Sequence, residues 1–295
     1  MESMNEKIHI IEVGPRDGLQ NIEKVIPTET KCKFIKVLIE AGIKELEVTS
    51  FVSPKAIPQL SDAERLVSML EKRDDVIYSC LVPTIRGLDR AISAGVKKVV
   101  FFVGASNEFN RRNLNADIEE TISNFKIMKK ICDENKIKIK GSISTAFYCP
   151  YRGYVSPEDV LRVMNMLSDM EINEIILCDT VGYATPKDVE MLLDKIFKCY
   201  KPESLGLHMH NTYGFAIACV YKAFELGIRK FESSVGGLGG CPNAPGATGN
   251  IATEILVNFF HKMCIETGVS LEKLQGAVLE INDFLMEDKK CIRNM

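Results

Sequence analysis

The chain has 295 residues, 37 Lys and Arg against 40 Asp and Glu, a net charge of −3 and 46% hydrophobic residues. That balance argues against a protein that lives on nucleic acid, which needs a strong basic excess, and the profile is that of an ordinary globular body. The length is compatible with about two domains or with one α/β barrel holding a full core.

The N-terminus, MESMNEKIHIIEV, mixes acids with one lysine and enters an apolar run by residue 8, so it reads as neither a signal peptide nor an Arg-rich transit peptide. Strand-like runs follow at 8–13 (IHIIEV), 45–51 (ELEVTSF), 76–82 (VIYSCLV), 97–105 (KKVVFFVGA), 137–147 (IKIKGSISTAF), 174–180 (EIILCDT), 205–211 (LGLHMHN) and 230–235 (KFESSV). Between them the three-and-four spacing of apolar residues predicts helices, among them 28–42, 118–136 and 156–170. Thr28 and Ser156 are the expected N-caps, and Pro157 stands at a first helical position. Strand followed by helix, eight times over, is the pattern of a TIM (β/α)8 barrel, because parallel strands need crossovers of this length. A doubly wound open sheet is the alternative. The tail predicts two more helices, 251–268 and 270–286, so the expected layout is one α/β barrel domain over residues 1–295 with C-terminal helices at about 251–290 packed against it.

Ten cysteines, at 32, 80, 132, 149, 178, 199, 219, 241, 264 and 291, are scattered without a CxxC pair and predict free thiols in a reducing cytoplasm. No apolar run is long enough to span a membrane.

In a barrel enzyme, function collects where strands end and loops begin. Here strand one runs into GPRDGLQ with Arg16 and Asp17, strand two carries Glu47, strand six ends on Asp179, and strand seven supplies His208, His210 and Asn211. Strand eight runs into SVGGLGGCPNAPGATGN, with Cys241 and Asn250. His208 and His210 share one strand face, a spacing that suits gripping one ion, although on spacing alone a solvent-facing polar pair is the commoner reading. Charges inside apolar strands cost several kcal/mol unless paired or metal-bound, so Glu47 and Asp179 need partners.

The segments GPRDGLQN (14–21), EVTSFVSPKAIPQ (47–59), CPYRGYVSP (149–157), LCDTVGYATP (177–186), GLHMHNT (206–212) and GLGGCPNAPGATGNIATE (237–254) resemble, in this order, the 3-hydroxy-3-methylglutaryl-CoA lyase family of metal-dependent barrel enzymes. The resemblance implies Asp17, His208, His210 and Asn250 as divalent-metal ligands, Arg16 and Asp179 as catalytic polar groups, Glu47 as a supporting carboxylate and Cys241 as a catalytic acid on a glycine-rich loop. It implies an acyl-CoA thioester as substrate; no nucleic-acid or membrane partner is expected, and a homodimer is left open. The family commonly has a basic residue two or three positions after the Asn of DGLQN, which the resemblance assigns to the nucleotide end of CoA; here NIEKV places Glu23 before Lys24.

The chemistry asks for such a set on its own terms. Retro-Claisen cleavage of a 3-hydroxyacyl thioester needs a hydroxyl deprotonated, an alkoxide stabilised and an enolate held until it is protonated. One carboxylate, two imidazoles and one amide, with no thiolate, favour Mg2+ or Mn2+ over Zn2+. Arg16 suits the developing enolate oxygen. Asp179 and His208 both qualify as base; the reading here is His208 as a ligand with a role in proton transfer and Asp179 as the base. A Claisen-type synthase of the isopropylmalate and homocitrate group and a non-catalytic binding barrel are the other readings.

Overall fold

The computed structural model describes residues 7–239, 249–279 and 281. Strands β1 (His9–Glu12), β2 (Glu45–Ser50), β3 (Ile77–Leu81), β4 (Lys98–Gly104) and β5 (Lys138–Ser144) are followed by a short antiparallel hairpin, β6 (Tyr148–Cys149) and β7 (Gly153–Tyr154). Then come β8 (Ile175–Asp179), β9 (Leu205–Met209) and β10 (Lys230–Ser233). All but the hairpin are parallel and close in the order β1-β2-β3-β4-β5-β8-β9-β10, the last pairing with the first. Helices α1 (Thr28–Glu40), α2 (Ala63–Met69), α3 (Ile85–Ser93), α4 (Asn107–Leu114), α5 (Ile118–Glu134), α6 (Pro157–Ser168), α7 (Pro186–Ile196), α8 (Ala216–Glu225) and α9 (Thr253–Lys262) alternate with the barrel strands or follow them. The fold is the expected TIM barrel, and each expected strand contains one observed strand.

Alternation along each strand sorts the side chains. Leu46 and Val48 of β2, Ile175 and Leu177 of β8, Leu205, Leu207 and Met209 of β9, and Phe231 of β10 belong to the main apolar core shared with the helices. The residues between them, Glu47, His208 and Glu232, are on the opposite phase, toward the barrel interior. There the only separate apolar cluster among the described residues is small: Ile11, Val13, Ile176 and Cys178. Much of the interior is charged.

Two local expectations change. Thr28 is the first residue of α1, not its cap, and its hydroxyl donates to Asp62 Oδ2 at 2.7 Å. Ser156 does cap α6, in a reciprocal box with Asp159. The helix expected over 251–268 is interrupted: α9 ends at Lys262 and Cys264 adopts φ +59°, left-handed backbone that no helix continues through. Residues 271–279 are helical, as expected for part of the second tail segment. Eight of the ten cysteines fall in the described residues and all eight are free; five of them are buried. No helix among the described residues is long and apolar enough to cross a membrane.

At the end of β1, Glu12 clasps three segments. Its Oε1 accepts from the Gly14 N–H at 2.8 Å and the Val235 N–H at 3.0 Å, while Oε2 accepts from the Thr253 hydroxyl at 2.6 Å. Burial pushes its pKa up from the ordinary 4.5 to about 7. The folded state therefore holds this proton more tightly than the unfolded chain, so Glu12's contribution to stability is full below pH 4.5 and is lost as pH rises toward 7. Glu12→Gln has no charge to bury, and its melting temperature relative to wild type should rise across that window. A difference that stays flat with pH in parallel thermal melts would refute this.

Candidate active site and metal centre

After β1 the chain makes one wide π-helical turn, Gly14–Gly18, in which the N–H groups of Asp17 and Gly18 both reach the Val13 carbonyl, at 2.7 and 3.3 Å. The turn carries Arg16 and Asp17 at the C-terminal ends of the strands. Arg16 Nε donates to Glu47 Oε1 at 2.5 Å and Nη1 donates to Asp17 Oδ1 at 2.5 Å. Gln20 Nε2 adds a third donor to this group, 3.0 Å from Asp17 Oδ1.

Alternation on β9 brings in the histidines, as their spacing predicts. The rings of His208 and His210 have centroids 5.1 Å apart, and His210 Nε2 lies 3.9 Å from Asp17 Oδ2. One potential ligand atom from each of Asp17, His208 and His210 lies within 4.8 Å of the others, and all three residues are buried. Asn250 arrives by backbone pairing: the Ile251 N–H donates to the Met209 carbonyl and the Asn211 N–H to the Gly249 carbonyl, both at 2.9 Å. Its Nδ2 donates to Asp17 Oδ2 at 2.7 Å and to the Leu238 carbonyl at 2.9 Å. Gly239, at φ +119°, makes this approach possible, because a Cβ there would stand 2.4 Å from Asn250 Nδ2 and 3.1 Å from Asp17 Oδ2.

The electrostatics follow from burial opposed by pairing. Burial alone would raise the Asp17 pKa, but Arg16 and the two histidines hold it below the usual carboxylate range. Burial opposes the Arg16 charge too, yet Glu47 and Asp17 outweigh it, so the guanidinium stays charged. His210 is pushed down to about 4 by burial and by the neighbouring His208, which leaves its ring neutral at pH 7, the form in which imidazole binds a metal. Burial opposes a charge on His208 as well, but the Glu232 carboxylate against its Nδ1 raises its pKa.

Two buried atoms in this cluster, His210 Nδ1 and Asn250 Oδ1, have no hydrogen-bond partner among the described residues. An unsatisfied buried acceptor costs about 1–3 kcal/mol, so orphaned atoms beside two ligand candidates fit a site built to hold a cation. The donor set is hard, oxygen and imidazole nitrogen, and suits Mg2+ or Mn2+.

Asp179 is placed differently. It sits on the helix-facing phase of β8 with Ile175 and Leu177, and its carboxylate accepts the N–H groups of Gly182, Tyr183 and Ala184 at 3.0, 3.2 and 2.9 Å. Its first job is to fold the turn between β8 and α7. Asn211 is exposed and its Oδ1 accepts the Ala216 N–H at the start of α8, 3.3 Å away. Cys241 lies outside the described residues.

Sequence reading passed over two interior residues. Glu232 accepts at Oε2 from His208 Nδ1 at 2.9 Å, and Lys140 donates to its Oε1. The signal was present, since both are charges inside strands, the same feature that drew attention to Glu47.

A closed parallel barrel with a buried carboxylate, two imidazoles, an amide and a paired arginine at its C-terminal end defines a barrel protein with a candidate metal-centred active site. The HMGL-like family pattern matches residues 7–279, and the chain belongs to that family. It is 40% identical over 287 residues to the mitochondrial hydroxymethylglutaryl-CoA lyase of Homo sapiens, covering 97% of this chain and 87% of that one. It is 39% identical over 285 residues to the cytoplasmic 3-hydroxy-3-methylglutaryl-CoA lyase of Rattus norvegicus, covering 97% and 82%. Among solved structures, the HMG-CoA lyase of Brucella melitensis superposes with a TM-score of 0.91 at 38% identity, covering 95% of this chain and 99% of that one. An HMG-CoA lyase from Acinetobacter baumannii, in complex with coenzyme A and 3-methylmalate, does so with a TM-score of 0.93 at 35% identity, covering 97% and 93%.

The geometry predicts that the purified chain binds one Mn2+ per protomer and that His210→Ala weakens binding by more than the 10- to 100-fold typical of a residue that only supports a ligand, roughly speaking. Calorimetric titration of metal-free protein reads this directly. Unchanged affinity in the variant would remove His210 from the ligand set.

Proposed function

We propose that this chain is a carbon–carbon lyase that cleaves 3-hydroxy-3-methylglutaryl-CoA to acetoacetate and acetyl-CoA. The observation that carries the reading is the buried convergence of Asp17, His208 and His210 beside an arginine already hydrogen-bonded to Asp17. The relatives' names and the coenzyme A complex of the Acinetobacter protein support the substrate class. A synthase has no comparable support, and a non-catalytic barrel would be expected to lack at least one of Arg16, Asp17, His208, His210 or Asn250, all of which are present. The eight free thiols among the described residues fit work in a reducing compartment such as the cytoplasm.

In this reading Asp17, His208, His210 and Asn250 hold Mg2+ or Mn2+. When bound, the ion supplies Lewis acidity toward the substrate hydroxyl and a fixed orientation for the substrate. The protein's own groups account for the rest. Cleavage removes the hydroxyl proton, turns that carbon into the ketone of acetoacetate and passes the electron pair of the broken carbon–carbon bond to the thioester, as an enolate. Arg16 keeps its charge and is held by Glu47 on one edge, so it can stabilise the enolate oxygen as a preorganised donor. His208 has Nδ1 committed to Glu232, leaving Nε2 alone for the ion. That leaves Asp179 to accept the hydroxyl proton: a carboxylate offers about four acceptor positions and the turn occupies three. Cys241 is assigned to protonating the enolate, an assignment that rests on the sequence resemblance and on the acidity of a thiol compared with an alcohol.

A coupled assay for acetyl-CoA release should show turnover of 3-hydroxy-3-methylglutaryl-CoA that disappears with exhaustive chelation and returns with Mg2+ or Mn2+. Arg16→Met should fold and lose about 100-fold or more in kcat, the worth of one oxyanion-type donor; a near-wild-type kcat would make Arg16 a structural charge only. Cys241→Ser should bind substrate and metal much as wild type does while single-turnover rates fall steeply. Retention of most of the rate would remove the thiol from the reaction.

A further inference from the structure

Beneath the ligand cluster, a line of opposite charges crosses the barrel interior from one proposed ligand to another. His208 Nδ1 meets Glu232 Oε2 at 2.9 Å, and Glu232 Oε1 accepts from Lys140, whose side chain is completely buried. Lys140 Nζ lies 3.6 Å from Glu47 Oε2, Glu47 Oε1 accepts from Arg16 Nε at 2.5 Å, and Arg16 Nη1 donates to Asp17 Oδ1 at 2.5 Å. Each of the two inner carboxylates, Glu232 and Glu47, uses one oxygen toward the site and the other toward Lys140. A pair that existed only to neutralise Lys140 would not require Oε2 of Glu232 to face an imidazole.

We propose that Glu232, braced by Lys140, is a positioning residue that fixes His208 with its proton on Nδ1 and its lone pair on Nε2, so that the ring is preorganised for a metal ion. This rests on the metal reading given above. An ionised carboxylate can only accept hydrogen bonds, so the nitrogen facing it must carry the proton. The imidazole's other nitrogen is then the one free to coordinate. A ring held on one edge by a carboxylate cannot turn about its Cβ–Cγ bond without leaving Oε2 of that carboxylate without its imidazole partner. The brace matters because Glu232 could itself swing; Lys140, reaching from β5 on the far side of β8 and β9, ties it across the barrel. Carboxylates that support a ligating histidine in this way typically contribute about 10- to 100-fold in metal affinity.

Two measurements decide it. Long-range 1H–15N correlation spectra of the wild-type protein, metal-free and Mg2+-loaded in mildly alkaline buffer, should show His208 protonated on Nδ1 and unprotonated on Nε2. Mn2+ titration of metal-free Glu232→Gln, with thermal melts confirming that it folds, should show affinity weaker by about 10- to 100-fold. A proton on Nε2 of wild-type His208 would overturn the proposal, as would a folded Glu232→Gln binding Mn2+ within about twofold of wild type, well short of the supporting-residue effect. If the variant fails to fold, the wild-type tautomer decides alone. A wild type that takes up no Mn2+ would end the metal reading and overturn this inference with it, whereas normal uptake by both proteins would end only the inference.

Discussion

Charges buried inside a closed barrel must be paired there, and in this protein the pairing is what builds the site. Removing one partner of a buried ion pair costs about 3–5 kcal/mol, because the survivor is left in a medium that cannot solvate it. The interior groups are Asp17 and Arg16 on the turn after β1, Glu47 on β2, Lys140 on β5, His208 on β9 and Glu232 on β10. No two neighbours in that line share an element except Arg16 and Asp17. The charges balance only when β1 pairs with β10 and the barrel is closed, so the electrostatics of the site and the completion of the fold are one condition.

The same device appears at the other end of the barrel with a different result. Glu45 is held between His9 at 2.8 Å and Lys98 at 2.7 Å, and Lys98 also reaches Glu174 at 2.7 Å. Burial would raise the Glu45 pKa, yet His9 and Lys98 bring it down to about 2, so this carboxylate is ionised and satisfied. At the C-terminal end two ligand candidates keep a polar atom that has no hydrogen-bond partner among the described residues. One end is closed on itself and serves stability; the other is left incomplete, which is how a barrel divides stability from function.

Glu12 links the two concerns. Its carboxylate gathers the backbone of the turn bearing Arg16 and Asp17, the segment after β10 and the first residue of α9. Asn250 lies three residues before that helix, so the clasp limits how far the turn bearing Asp17 can move from the segment bearing Asn250. Its cost is a carboxylate buried, among the described residues, without a cationic partner at hydrogen-bonding distance, and burial accordingly raises its pKa. The described geometry therefore combines a rigid ring of paired charges with one carboxyl at its edge that holds its proton more tightly than an ordinary glutamate does.

Much of this was legible in one dimension. Eight strand-like runs separated by helical ones determined the barrel, since parallel strands admit few other closures at this length. Period-two alternation put His208 and His210 on one face. The same arithmetic, applied to EIILCDT, places Asp179 in phase with Ile175 and Leu177 at the C-terminal end of β8, where its carboxylate binds the backbone of the following turn. Composition could also say that the charges at 140 and 232 need partners. It could not say which, because alternation reports the face a side chain occupies and not its neighbour across the barrel. Glu232 and His208 are 24 positions apart, and Glu232 and Lys140 are 92 apart. Those pairings are decided by closure and by the register of β10 on β9, which sets Glu232 beside His208. Likewise Thr28 had a cap's chemistry in the sequence, but Asp62, from the segment leading into α2, claimed its hydroxyl once α1 and α2 were packed.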